Sequence, residues 1–210
     1  TAPIVFLIYI AINKKKKTIS EFYSNILKLV TSISIAQFIP IIITPILTQY
    51  FTPQDFGIYG LYISICSILG IVAGGKYDVA IMLPKRKIDA ANIFAVSVLI
   101  TFLFSILSFS ILNIFNETLF LITKSELLKK YYFIIPLSIF LISINQSIVV
   151  WFNRKKTYNL IANQNVLKSG SNSGSSLILG IKSVQFGLIM GNLISLITIT
   201  CFNISAFLKD

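Results

Sequence analysis

The chain has 210 residues, 55% of them hydrophobic and 12% charged, and a formal net charge of +11. A soluble domain carries about 25% charged residues, so this chain cannot cover itself with polar surface and needs a bilayer as its solvent. The charge does not point to nucleic acid, because most Lys and Arg stand in short runs at the ends of apolar stretches, where they suit membrane topology and anionic lipid headgroups.

Cys66 and Cys201 lie inside apolar stretches and there is no histidine, so neither a metal-ligand spacing nor histidine chemistry is present. No Gly-rich phosphate loop with its lysine occurs either. The expectation is a protein that is not an enzyme, with no cofactor and no metal.

Residues 1–25 read as a flank. The apolar run Pro3 to Ile12 is shorter than the about 20 residues a membrane span needs. Its cations, Lys14 to Lys17, follow it, whereas a secretory signal places them before. A misplaced start, a fragment of a longer chain, or a segment lying in the membrane interface are the readings left open.

The first span is expected over residues 26–49. Pro40 and Pro45 inside it are compatible with a membrane helix and predict a kink. At 100° per residue Ser34, Gln37, Thr44 and Thr48 share a face, which must look away from lipid, either to bond other helices or to line a cavity. A polar corner, Thr52 to Asp55, leads to a second span over 56–83. There Gly57, Gly60, Ser64, Ser67, Gly74 and Asp78 share a face, a signal of close helix packing. Lys76 and Asp78, near the end of this span, read either as a snorkelling local ion pair or, more sharply, as a cationic contact from Lys76 to a diphosphate.

The stretch AQFIPIIITPILTQYFTPQDFGIYGLY, followed by GGKYDVAIMLPKRKIDA, resembles the N-terminal signature of the polysaccharide transport family, the flippases of lipid-linked glycans. That signature runs A-Q-x-x-P and L-T-R, then T-P-E-D-F-G, then G-G-R-Y-E-L-A-I and L-P. Gln49, Gln54, Lys76 and Asp78 stand where it has Arg, Glu, Arg and Glu. The resemblance implies one six-helix lobe of a two-lobe exporter in the bacterial cytoplasmic membrane. Its substrate would be an undecaprenyl-diphosphate-linked glycan, with a glycan polymerase or glycosyltransferases as possible neighbours, and Lys76 would fall at the family's arginine.

The third span, about 90–115, is apolar nearly all round and reads as lipid-facing over much of its surface. A loop over 116–130 carries Glu117, Lys124, Glu126, Lys129 and Lys130. The fourth span, about 131–152, contains Pro136, a second kink candidate, and the amides Asn145 and Gln146, which read as interhelical hydrogen-bond partners first and substrate contacts second. Trp151, Phe152 and Tyr158 beside Arg154 to Lys156 read as an interfacial belt.

The fifth span, about 160–181, is interrupted by Lys168-Ser-Gly-Ser-Asn-Ser-Gly-Ser-Ser176, a linker-like composition. Asn165, Lys168, Ser169, Asn172, Ser176 and Gly180 nonetheless share a helical face. The expectation is a polar-faced helix buried in the bundle, with Lys168 a second cationic contact. The sixth span, about 186–208, carries Gly187-x-x-x-Gly191 and Ser195, a packing seam.

The whole is expected to be an all-α, polytopic bundle of six transmembrane helices with both termini in the cytoplasm. Lys14 to Lys17, Lys85 to Lys87, Arg154 to Lys156 and Lys209 fall on one side, as the positive-inside rule requires. The candidate substrate residues are Lys76, Lys168, Gln37, Thr44, Asn145, Gln146, Asn165 and Asn172. The expected function is flipping of lipid-linked oligosaccharide. The alternatives are a multidrug antiporter of the same superfamily and a non-transporting membrane scaffold for glycan assembly.

Overall fold

A computed structural model describes residues 2–115, 117, 132–184 and 186–209, with side chains from residue 23 onward. Seven helices are seen among them: α1 Ala2–Leu47, α2 Pro53–Ala73, α3 Tyr77–Ala80, α4 Lys87–Ile114, α5 Ile134–Arg154, α6 Tyr158–Ile181 and α7 Gly187–Leu208. No strand occurs among the described residues. Apart from Glu117, the loop expected over 116–130 lies outside them, as do the side chains of Lys14 to Lys17.

Five of the helices are long and apolar enough to cross a membrane: Tyr23–Leu47 of α1, then α2, α4, α5 and α7. This is one fewer than the six expected. The helix that falls short is α6, which has the length, at 24 residues, but is diluted by its run of Ser, Gly and Asn.

Boundaries differ from the sequence reading for identifiable reasons. The flank 1–25 and the first span form a single helix, and α1 continues through Pro40 and Pro45. The corner that follows is set by a capping box at Thr52 and Asp55. The Thr52 N–H donates to Asp55 Oδ2 at 2.8 Å, the Asp55 N–H donates back to Thr52 Oγ1 at 3.3 Å, and Pro53 occupies the first helical position. The second span stops at Ala73 rather than 83. Gly75 at φ 55° and Lys76 at φ 60° put two consecutive residues in the left-handed region, which no α-helix survives. Pro136 lies in the first turn of α5, where its missing N–H would have no helical partner anyway. It starts that helix and does not kink it.

The helices alternate in direction. Ser97 bonds Ser147 at 3.0 Å and Thr101 bonds Ser143 at 2.9 Å, so α4 and α5 are antiparallel. Asn165 reaches Ser32, and Ser169 reaches the carbonyl of Ala36, both pairs 133 residues apart; α1 and α6 are therefore parallel and in constant register. Ser171 bonds Ser195 and Ser175 bonds the carbonyl of Gly191, each at 3.0 Å, so α7 runs antiparallel to α6.

The basic ends gather. Arg154, at the end of α5, donates to the carbonyls of Ile81 at 2.9 Å and Arg86 at 3.3 Å, and Phe207 stacks on Phe94 at 5.0 Å. Trp151 and Phe152 are not an interfacial belt. They are 3% and 0% exposed and form a core with Ile81, Ala90, Ile148 and Ile161.

The third span is not featureless either. Ala90, Ser97, Thr101 and Ser108 are its buried residues. Ser97 and Thr101 of this small, hydroxylated line bond α5, while Leu99, Phe102, Leu103, Ile106 and Leu107 stay exposed.

Candidate functional site

Helix α1 packs against α6, whereas α2 packs against α5, α7 and α4; α1 and α2 hardly touch along their length. They converge at Phe51, which clusters with Leu47 and Leu188. Two glycines make room for that ring. A Cβ on Gly187 would come within 2.7 Å of it, and one on Gly180 within 2.9 Å.

Away from this closed corner a polar cavity of about 290 Å³ opens beside α1. It is lined by Ile33, Ala36 and Gln37 of α1, by Asn165, Lys168, Ser169 and Asn172 of α6, and by Asn192 of α7. Gln37 stands ten residues from Leu47 and fourteen from Tyr23. At 1.5 Å rise per residue this places the cavity near mid-span.

The α2 wall continues the polar surface. Asn172 Nδ2 donates to Tyr59 Oη at 3.4 Å, Tyr62 Oη donates to Asn192 Oδ1 at 3.4 Å, and Tyr62 Oη meets Ser138 Oγ at 2.6 Å. Asn172 Oδ1 is buried without a donor. Lys168 forms no hydrogen bond or ion pair through its ammonium among the described residues, and no lining residue is acidic. A mid-span cation among neutral amides is an electrostatic arrangement that favours an anion.

The structure thus brings together four of the eight expected site residues: Gln37, Asn165, Lys168 and Asn172. The other four lie elsewhere. Thr44 is exposed and satisfies its own hydroxyl by donating to the carbonyl of Pro40 at 2.6 Å. Thr48 does the same to Pro45 at 2.8 Å. A threonine bonded to its own helix need not face the bundle, so the expected inward face of α1 reduces to Gln37. Lys76 is exposed in the left-handed turn after α2. It does not pair with Asp78, which is 4% exposed with Oδ1 unpartnered.

Asn145 holds a separate buried network. Its Nδ2 donates to Thr200 Oγ1 at 2.8 Å and to the carbonyl of Leu141 at 2.7 Å, and its Oδ1 accepts from Asn203 at 2.7 Å. Gln146, its neighbour, is exposed, because adjacent residues on a helix point about 100° apart.

The expected face of α6 divides in two. Asn165 to Asn172 line the cavity, while Ser176 packs on Gly191 and Gly180 on Phe51. The seam of α7 is present: Gly191 leaves no room for a Cβ against Ser176, and Ser195 donates to the carbonyl of Lys168 at 2.8 Å. The small face of α2 is split: a Cβ on Gly74 would lie 3.2 Å from Ser143 Oγ, whereas the glycines at the other end do not pack. Gly57 and Gly60 have nothing within 4 Å of a Cβ, and the close approach in α2 is at Gly70, 2.7 Å from Ile142.

Tyr59, Tyr62 and Asn192 are site residues that sequence reasoning missed. A signal existed: two tyrosines at i and i+3, and one amide directly after GLIMG in an otherwise apolar stretch. Searches against protein-family models, curated proteins and solved structures found no match, so the site's chemistry rests on its own residues.

Proposed function

We propose that this chain is a six-span membrane lobe that moves a lipid-linked oligosaccharide, of the undecaprenyl-diphosphate class, across the bacterial cytoplasmic membrane. The observation that carries the reading is the mid-span cavity in which an unpaired Lys168 stands among Gln37, Asn165, Asn172 and Asn192. A glycan head offers many hydroxyls to amides and a diphosphate to an ammonium. Moving it across an apolar slab requires such a wall near the midplane.

In this reading α6 is the sixth span. It lies parallel to α1 in constant register, so Tyr158–Ile181 is level with residues 25–48, the length of an apolar span. Its polar side chains are tolerated because α1 and α7 cover them. Both termini then face the cytoplasm, on the side of Lys85 to Lys87 and Arg154 to Lys156. Lys76 is left out of the contact set, since it stands away from the cavity.

A cation-exporting antiporter of the same superfamily is the weaker reading. It needs an acid in the cavity wall, and the buried Asp78 is outside that wall.

The test is export of lipid-linked glycan in cells that depend on this protein, at matched protein level. Lys168→Ala is expected to lower export at least tenfold and Lys168→Arg to retain most of it. Unchanged export in Lys168→Ala would remove the anion contact on which the proposal stands.

A further inference from the structure

The α1–α6 seam has a second flank, opposite the polar cavity, and there an open groove of about 1110 Å³ runs along it. The volume is at the upper end of what a drug-sized ligand fills. The groove extends on α1 from about Ser24 to Ile35, a rise of roughly 16 Å, close to the ~15 Å depth of one leaflet's hydrocarbon.

Its lining is graded along that length. The constant register of α1 and α6 sets Lys28 level with Ile161, between Asn159 and Asn163, about 6 Å in from Ser24 at the end of the groove near Lys155 and Lys156. Ile35, Ala162 and Val166 line the deeper part together with Thr31 and Ser32, whose hydroxyls donate to carbonyls of their own helix, and Leu27 adds apolar surface. Lys28 has no hydrogen bond or ion pair among the described residues, and no acidic residue lines the groove. A cation and two amides toward a basic membrane end, over a mostly apolar wall about 10 Å deep, match an anionic headgroup with the upper part of its acyl chain below.

We infer that this groove holds one anionic phospholipid of the leaflet on the basic side, bound between α1 and α6 as a lasting part of the lobe. The occupant is not the exported lipid. The α1–α6 seam separates this groove from the Lys168 cavity, so one molecule cannot place its head in the cavity and its tail here. The inference depends on the membrane reading alone and not on the export reading. A retained lipid also gives a reason for the exposed flank of α1, whose main packing partner among the described residues is α6.

The experiment is native mass spectrometry on the whole chain, extracted from bilayers of equal phosphatidylglycerol and phosphatidylcholine. The wild type is expected to retain one lipid, with phosphatidylglycerol favoured roughly fivefold, the effect of one Lys near a headgroup. Lys28→Gln is expected to equalise the two lipids. Ile35→Trp and Val166→Trp, which fill the groove from different helices, are each expected to lose the retained lipid, with helicity checked by circular dichroism. If one of the two misfolds, the other and Lys28→Gln decide. Lys168→Gln, on the opposite flank, is expected to change nothing. Equal retention of both lipids by the wild type would overturn the inference. Unchanged retention and preference in Lys28→Gln and a folded Trp variant would overturn it too, as would a co-purifying protein in place of the lipid.

Discussion

Ser169 Oγ donates to the carbonyl of Ala36, the acceptor that Pro40 leaves without its helical donor. Proline at i removes the N–H that would bond the carbonyl at i−4. Ala36 and Ser169 both border the polar cavity, where a donor from the neighbouring helix can replace it. The hydroxyl that does so comes from the Ser-rich stretch of α6, so a feature that looks like a flexible linker repairs a defect in the neighbouring helix.

This predicts a specific coupling. Ser169→Ala is expected to destabilise the fold by about 1 kcal/mol, the net worth of a hydrogen bond to a part-buried acceptor. In a Pro40→Ala background the same change is expected to cost little, because the helix then supplies its own donor. Unfolding measurements on the four proteins of the cycle give the coupling energy, and a value near zero would show that the bond contributes nothing.

The glycines of α7 and α2 are predicted to differ. Gly191→Ala and Gly187→Ala push a Cβ into Ser176 and Phe51, and overpacking of this kind costs about 1–3 kcal/mol. Gly57→Ala and Gly60→Ala meet open space and are expected to be neutral or to stabilise by roughly 0.5–1 kcal/mol through helix propensity. Melting temperatures of the four variants in one detergent check the order.

Lys76 carries a backbone prediction in place of a binding one. Its φ of 60° is a conformation that glycine adopts without the Cβ penalty of about 1 kcal/mol. Lys76→Gly is therefore expected to raise the unfolding midpoint slightly and to leave glycan export unchanged. A large loss of export at normal stability would restore Lys76 to the substrate path.

The buried amides predict non-additivity. Asn203→Leu leaves Asn145 Oδ1 without its donor, at a cost on the order of 1 kcal/mol for an interhelical hydrogen bond in a membrane. Asn145→Leu strands Asn203 Nδ2 in the same way, while Thr200 keeps its bond to the carbonyl of Leu196. The double variant is expected to be less destabilised than the sum of the two, since apolar partners need no hydrogen bond. Strict additivity, measured by steric trapping or denaturant unfolding, would show the two amides to be uncoupled.

The cavity predicts a labelling pattern. With Cys201→Ser as background, Gln37→Cys and Asn172→Cys are expected to react with a membrane-impermeant thiol reagent in opened vesicles, and Phe38→Cys, 61% exposed on the outer surface of α1, only with a lipid-soluble one. Equal reactivity of Gln37→Cys and Phe38→Cys would mean that no wet space lies beside α1.

Much of the architecture was legible in the residue order. Runs of about 20 apolar residues, the Thr52–Asp55 corner and the Gly187–Gly191 seam need only local information, because span length, capping and helical spacing are local properties. Even α6 was readable as a helix, since Asn165, Lys168, Ser169 and Asn172 recur on one face in spite of their linker-like setting. The hydroxyl line Ser97, Thr101 and Ser108 was on the page too, hidden by the aliphatic residues between.

What the residues by themselves determined is which side chains share a face and roughly where each apolar stretch lies along the chain. Only the tertiary structure decided what each face meets. Thr44 and Gln37 fall on one face of α1, yet Thr44 closes on its own backbone and Gln37 lines a cavity. Gly57 and Gly191 are alike in spacing, yet one borders open space and the other a serine. Trp151 looked interfacial and is enclosed by the neighbours that α3, α4 and α7 bring. Periodicity is a property of one helix, while burial and hydrogen bonding depend on the helix beside it, and that neighbour can lie 15 residues away, as for Gly191 and Ser176, or 133, as for Asn165 and Ser32.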